Sequence, residues 1–461
     1  MKTLSSKTFD LIIAGGGTAG TLSALAAARD GLSVLIIESS PFLGGMSTCS
    51  GLTEMNAAGY NGFPIYGGIE KEIFEEMMSS GFASLDIAVP MSSNRNIKID
   101  RMRYNPELLK LLFERKAIES GIEILYNTNV IYVEEKKDSI FLKAQSLYST
   151  LNLKCRFLID STGNASIVTQ AGYETIKTKN GRQLIATQVF RLSNVDTKVL
   201  NEYILNDEIT ELVDKGIQEG KLKGKILGFA PIPNTNDVSL NVTRSSFDYE
   251  DVYSTSKGML EARSQIKDVL EFVKENIPGT KNCYISNISP MMGIRDSRRI
   301  VGEYTLTIND LESMFDFEDT IAIGCYPMDI HDPVTNTVIW KVLPGMYNIP
   351  FRSLIPRGSK RIIVAGRCLS ADKEAFGAIR VMPIMMNVGE SAGYSISYSI
   401  KNGLTLNEVN CRELRHYLRG KNLKEELNGT NCIINYFCCI NGIRYSCGFY
   451  YDRLINSIHI T

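Results

Sequence analysis

Three glycines and one acid near the start of the chain carry the first recognisable chemistry. Gly15, Gly17 and Gly20 stand at G-x-G-x-x-G spacing within GGGTAG, and Glu38 follows them. The first glycine permits a tight turn, the second lets a pyrophosphate approach the backbone, and the third lets a helix lie close to a strand. An acid about 20 residues on is placed to accept hydrogen bonds from a ribose. These residues predict a dinucleotide site. Gly16, Thr18 and Ala19 complete the turn.

A second group could bind anions or move protons. GIRDSRRIVG holds Arg295, Arg298 and Arg299, a dense cationic cluster. A guanidinium offers two parallel donors, which suits a carboxylate or another oxyanion. At least one of the three is expected to pair with Asp296 or Glu303 as a structural tie. Arg380 is the better single candidate, and Arg352 is a third. His331 stands in CYPMDIHDPV between Asp329 and Asp332, acids that could raise its pKa or fix its tautomer. A hydride transfer at carbon needs such an acid or base, and Tyr326 and Tyr347 are the alternatives. The bland reading of His331 is a surface residue in a polar loop. Cys49 lies in LGGMSTCSG with no partner at C-x-x-x-x-C spacing, since Gly44 and Glu54 occupy those positions. A dithiol mechanism is therefore not expected, and the default is a packed small residue.

The elements that must position these groups can be read from hydrophobic pattern. Residues 9–14 form an apolar run suited to a buried parallel strand, and 34–37 form another. Between them, Ala24, Ala27 and Ala28 keep a helix thin where it packs, and Gly31 ends it. Asn105 and Pro106 suit the N-cap and first position of a second helix. Residues 130–134, 140–144 and 151–154 alternate as a small antiparallel meander, and 157–159 form an apolar strand running into Asp160 and Gly163. Near the end come a strand at 362–365, a turn at Gly366 and a helix over about 383–401. The expected organisation is a dinucleotide-binding domain in two parts, 1–165 and 351–428, split by an inserted α+β substrate or cap domain over 166–350. A Cys-rich tail of different composition, 429–461, follows.

Composition narrows the function classes. The chain has 461 residues, a formal net charge of −1 and 22% charged residues, so neither nucleic acid nor an anionic membrane is an expected partner. It lacks the long apolar run of a membrane span and the apolar core of a secretory signal before the first glycines. Cys49, Cys155, Cys283, Cys325, Cys368 and Cys411 are scattered without a C-x-x-C pair. That pattern predicts free thiols in a reducing cytoplasm, with neither an iron–sulfur cluster nor any other metal.

GGGTAG, the LGG of Leu43 to Gly45, LIDSTGNA and IIVAGRCLSA together resemble FAD-dependent oxidoreductases of the two-dinucleotide-binding-domain type, the fold class of glutathione reductase and fumarate reductase. GIRDSRRIVGEYTLT, YNIPFRSLIP and EAFGAIRVMPIMMNVGESAG resemble a narrower branch, bacterial FAD-dependent oxidoreductases that share motifs with flavin subunits of heterodisulfide-reductase type. The likeness covers residues 9 to about 427. It implies an α/β fold whose Rossmann-like FAD-binding domain combines a parallel sheet with a β-meander. It also implies FAD held by Gly15–Gly20, Glu38, Gly44, Gly45, Ser47, Val130, Thr162, Gly163, Gly366, Val381 and Met382.

The residues support FAD independently. A strand and helix that return to the ligand late in the chain suit a long cofactor, and a single G-x-G-x-x-G leaves no second Rossmann domain for NAD(P)H. Val381, Met382 and Pro383 open the last helix, whose N-terminus would stabilise negative charge on reduced flavin. No histidine lies near Cys49 to bond the flavin covalently, so a non-covalent cofactor is expected. The expected function is hydride transfer between FAD and a small polar substrate, for which a carboxylate is one fitting group. Arg380, Arg295, Arg298 and His331 are the catalytic candidates. The alternatives are an electron-transfer flavoprotein subunit serving a redox partner protein, and a flavin monooxygenase.

Overall fold

The computed structural model describes residues 2–91, 94–178, 183–204, 208–224, 227–423, 437–440 and 443–446. At its centre lies a parallel sheet. The strand Lys2–Ala14 pairs with Val34–Ile37 on one side and Ser149–Asp160 on the other. Glu123–Leu125 continues the sheet beyond Val34–Ile37, and Ile362–Val364 continues it beyond the last three residues of Ser149–Asp160. The first half of Ser149–Asp160 pairs instead with the antiparallel strand Ile140–Gln145, which pairs in turn with Asn129–Glu135. One long strand thus joins the parallel sheet to the meander. This is the mixed α/β architecture that the sequence predicts.

Two boundaries differ from the sequence reading, for one reason. Residues 151–154 and 157–159 belong to the same strand. Burial alternates through Leu153, Cys155 and Phe157, then becomes continuous over Leu158, Ile159 and Asp160, where both sheet faces are covered. The change of pattern marks a change of surroundings along one strand. Likewise the first strand begins at Lys2, well before the apolar run, because its polar start pairs with residues 149–154.

The helices Thr18–Arg29 and Met382–Asn402 pack closely against each other. A Cβ added to Gly389 would lie 2.2 Å from the Ala19 carbonyl oxygen, and one on Gly393 would lie 2.2 Å from that of Ser23. Ser23 Oγ donates to the Gly389 carbonyl at 2.8 Å. Small residues at this spacing let the late helix return to the first one.

A second hydrophobic cluster runs from Phe190 to Cys283. Its antiparallel sheet has the order Gly228–Pro231, Val238–Asn241, Phe190–Ser193, Tyr284–Ile288. The helix Val252–Asn276 packs Ile266, Val269, Phe272 and Val273 into this cluster. Ile300 and the buried apolar residues from Leu306 on pack instead with the first cluster. A further sheet, Glu54–Tyr60 with Phe63–Pro64, Asn94–Tyr104 and Ala83–Met91, and the pair Met328–Asp332 with Thr337–Lys341 complete the walls of the site. Among the described residues no helix is long and apolar enough to cross a membrane. The Cys-rich tail lies outside the described residues, apart from the pair Phe437–Ile440 and Ile443–Ser446.

Candidate functional site

Two cavities meet between the parallel sheet and the second cluster. The first, about 340 Å³, runs along the glycine turn, the carboxyl ends of the parallel strands and the start of the last helix. Its glycines have distinct duties. Gly15 has φ +99°, and an added Cβ would lie 2.5 Å from the Ser161 carbonyl oxygen. An added Cβ on Gly20 would lie 2.0 Å from the Gly15 carbonyl oxygen. Gly17 alone of the three would meet nothing within 4 Å, and it lines the cavity. It leaves space for a ligand to approach the backbone. Gly17 also caps the helix Thr18–Arg29 without a side-chain hydrogen bond, so the first N–H groups are left for that ligand.

Glu38 is buried and lines the same cavity. Its Oε2 accepts the Gly16 N–H at 2.6 Å and its Oε1 accepts the Ser40 N–H at 2.7 Å. It therefore holds the glycine turn in shape, and a carboxylate retains acceptor capacity for a ribose. Thr18, Ala19, Gly45, Val130, Thr162, Gly163, Gly366 and Met382 also line this cavity. Gly16, Gly20, Gly44 and Ser47 do not. Gly44 donates its N–H to the Gly16 carbonyl at 2.7 Å, and Ser47 Oγ turns to the Gly44 carbonyl at 2.9 Å. These four shape the loop from behind. Asp160 does the same for the Thr162 turn. Burial raises its pKa, while it accepts from Thr162 Oγ1 at 2.6 Å and from the N–H groups of Ile167 and Val168 at 2.9 and 3.1 Å.

The second cavity, about 230 Å³, shares Met46, Ile294, Arg367, Arg380 and Met382 with the first. Val381 belongs to this one and caps the helix Met382–Asn402 with no side-chain hydrogen bond. Arg380 ends the short helix Lys373–Ile379. Its Nη2 donates to the Asp329 carbonyl at 3.2 Å and lies 3.3 Å from Asp329 Oδ2. Arg295 is bound by neutral acceptors: Nη1 to the Ile185 carbonyl and Thr187 Oγ1, both at 2.7 Å, and Nη2 to Asn241 Oδ1 at 3.3 Å. Burial, followed by the charges of Arg380 and Arg244, pulls its pKa down to about 9.

His331 is in the buried strand Met328–Asp332, not in a polar surface loop. Its pKa moves opposite to the expectation. Burial and then Arg295 push it down to about 3, although Asp329 pulls it up. Arg244 Nη1 lies 3.2 Å from His331 Nδ1, and a guanidinium can only donate. Nδ1 is therefore the acceptor, and the proton sits on Nε2, 3.1 Å from Asp329 Oδ1. Asp329 is held well below the usual carboxylate range by His331 and Arg380, which outweigh its burial. Tyr326 donates to Asp329 Oδ2 at 3.2 Å, and burial drives its pKa far up. Asp332 is spent on the following turn, where it accepts from Thr335.

Several candidates lie elsewhere. Arg298 faces away from both cavities, pairing with Glu250 and donating to Thr169 Oγ1 at 3.0 Å. Arg299 pairs with Asp296 at 3.2 Å and lies over the Phe376 ring, and Arg352 grips Asp319 through Nε and Nη2 at 2.9 and 3.1 Å. Tyr347 donates to the Ala378 and Tyr326 carbonyls as a buried strut. Cys49 is buried and lines neither cavity. Gly377 lets the helix Lys373–Ile379 lie close to the Asp329 carbonyl. Arg367 was missed. Its signal was its place in AGRCLSA, directly after the turn glycine of a parallel strand. Nothing in the sequence marks Arg244.

Residues 10–418 match the family described as FAD dependent oxidoreductase. The chain belongs to that family. FAD is accordingly its cofactor, and the open space at Gly17 and the uncapped helix start at Met382 fit the two regions such a cofactor must touch. Among solved structures, a geranylgeranyl bacteriochlorophyll reductase-like protein from Thermoplasma acidophilum is similar, with 12% identity and a TM-score of 0.50 over 92% of this chain and 86% of that one. The p-nitrophenol 4-monooxygenase PnpA from Pseudomonas putida DLL-E4 gives 12% identity and a TM-score of 0.47 over 90% and 84%. The flavin-dependent brominase Bmp2 gives 14% and 0.46 over 94% and 87%. Likeness at this identity describes fold alone. No curated protein matches the sequence significantly.

Proposed function

We propose that this oxidoreductase transfers a hydride between non-covalently bound FAD and a small polar organic substrate in the second cavity. One observation carries the reading: the two cavities share a wall of Met382, Arg380 and Arg367 at the start of the last helix. FAD supplies hydride acceptance or donation when bound. The chain's own residues do the rest. The glycine turn and Glu38 hold the dinucleotide end, and the N–H groups at Val381 and Met382 favour negative charge at the shared wall. Arg380 and Arg295 orient the substrate. His331 is neutral near pH 7, so its role there is to fix Asp329 and Arg244, and the accompanying proton falls to the alternative that lines the cavity, Tyr326, whose hydroxyl burial keeps protonated. The inserted segment supplies the substrate side through Asn241 and Arg295. The motifs at Gly293–Thr307 and Glu374–Gly393 support placement in the branch related to heterodisulfide-type flavin subunits.

Anaerobic mixing tests this reading. Bleaching of the flavin by a metabolite from a broad panel is the expected result. Bleaching only by a reduced protein would favour an electron-transfer subunit, and bleaching by NADPH a monooxygenase. Acid precipitation should release the yellow colour to the supernatant. Colour retained in the pellet would overturn the non-covalent assignment.

A further inference from the structure

The second cavity gathers more cations, half-buried on its wall, than it has carboxylates to face them. Arg295, Arg367 and Arg380 stand on its wall, and Arg244 stands behind His331. Asp329 is the carboxylate among them, and it already faces Arg380, His331 and Tyr326. Glu54, on the opposite wall, is engaged elsewhere. It lies 3.1 Å from Arg101 and 3.8 Å from Arg103, and these arginines share Asp86 at 3.3 and 2.7 Å. That quartet is balanced.

Arg367 is the least compensated of the group. Among the described residues it makes no hydrogen bond or ion pair, and its Nε is enclosed without a partner. Arg295 has three neutral acceptors and no carboxylate. Enclosing a charge without an opposite charge is costly. A ligand that brings the missing negative charge would recover that cost, and a planar guanidinium fits a carboxylate with two parallel donors. Asn56 Oδ1 and Trp340 Nε1, also enclosed without partners, belong to residues of the same wall. The cavity therefore holds polar groups suited to a second, uncharged part of the molecule.

We propose that the second cavity is a carboxylate-binding site, in which a small organic acid sets its carboxylate against Arg367, Arg380 and Arg295 and turns an adjoining carbon toward the first cavity. This deepens the proposed function and rests on its placing of the substrate.

The test titrates oxidised, FAD-loaded enzyme with succinate and with succinamide, its uncharged counterpart, following the absorbance of the bound flavin. Succinate should perturb the spectrum saturably, and succinamide should bind at least about tenfold more weakly, a difference of about 1.4 kcal/mol. Arg367→Gln should raise the succinate Kd about tenfold or more at unchanged FAD content and melting temperature, and Arg367→Lys should fall between the two. Arg298→Gln, outside both cavities, should match the parent. Equal binding of the acid and the amide, or a parent-like Kd in Arg367→Gln, would overturn the proposal. So would loss of FAD from both Arg367 variants, which would give that residue to the cofactor's pyrophosphate. Succinate binding without bleaching supports the carboxylate site even if succinate is not the redox substrate. Bleaching by a neutral metabolite, with no carboxylate binding, would leave hydride transfer standing and defeat this inference alone.

Discussion

The two cavities are built from different materials. The first is largely main chain: glycine turns, strand ends and the N-terminus of a helix, with Glu38 as its one acid. The second is largely side chains, with guanidiniums drawn from Arg295, Arg367 and Arg380 on separate segments. A backbone site fails by steric intrusion, because its shape is its chemistry. A side-chain site fails by charge or geometry while the fold survives. Substitutions in the two cavities should therefore differ in kind.

The largest effect should come from Gly20→Ala. The new Cβ would sit 2.0 Å from the Gly15 carbonyl oxygen and 2.9 Å from Ser161 Cβ, so the turn or the helix must move. Overpacking of this kind costs about 1–3 kcal/mol. The variant should purify colourless with a lower melting temperature. Gly17→Ala is the informative contrast. Gly17 has φ −64° and ψ −176°, which any residue adopts, and its new Cβ would project into open space. The FAD-free variant should melt with the FAD-free parent, while FAD affinity falls by about tenfold or more. Equal loss of stability in both variants would mean that the turn has no ligand-facing glycine.

In the second cavity, Arg380→Lys keeps the charge and loses the fork. Turnover should drop about tenfold, about 1.4 kcal/mol, while FAD remains bound. Its charge would still face Asp329, so stability should hardly change. Turnover within about twofold of the parent would make Arg380 a structural partner of Asp329 and shift the orienting role to Arg295.

This contrast also explains what the sequence could reveal. The first cavity is local: a turn, a helix start and an acid recur at fixed spacings, so Gly15, Gly17, Gly20 and Glu38 are legible in order. The same locality makes the parallel strands legible: 34–37 as observed, and 362–365 against an observed Ile362–Val364. The second cavity depends on which arginines meet a carboxylate after folding. Arg295, Arg298 and Arg299 lie within five consecutive positions, yet only Arg295 reaches the cavity. Arg299 takes Asp296, the local tie that the sequence suggests, whereas Arg298 finds Glu250, a choice that the spacing does not show. His331 shows the same limit. Its acidic neighbours suggest a raised pKa, but Asp332 turns into a loop, while burial and Arg295 reverse the direction.

The smallest effect concerns pH, and it separates the charge balance of the second cavity from that of a buried acid elsewhere. His331 is pushed down to about 3 in the fold, whereas an unfolded histidine titrates near about 6.5. Between those values the unfolded chain holds a proton that the folded chain does not, so His331 makes stability fall as pH falls. Glu390 acts in the opposite sense. It accepts the N–H of Ile69 at 3.0 Å, and burial raises its pKa to about 7. Above the unfolded carboxyl pKa near about 4.3, the folded chain keeps a proton that the unfolded chain releases, so Glu390 makes stability fall as pH rises toward 7. Between about pH 4.5 and 6.5 the two contributions oppose each other. Asp329 lies well below this window and does not titrate in it. His331→Gln should therefore tilt the profile, leaving a protein whose urea midpoint rises as pH drops from 6.5 to 5, and Glu390→Gln should tilt it the other way. Parallel profiles for the parent and His331→Gln would show that His331 is not held neutral by its surroundings. The cations around it would then have to be balanced by groups other than those facing the second cavity.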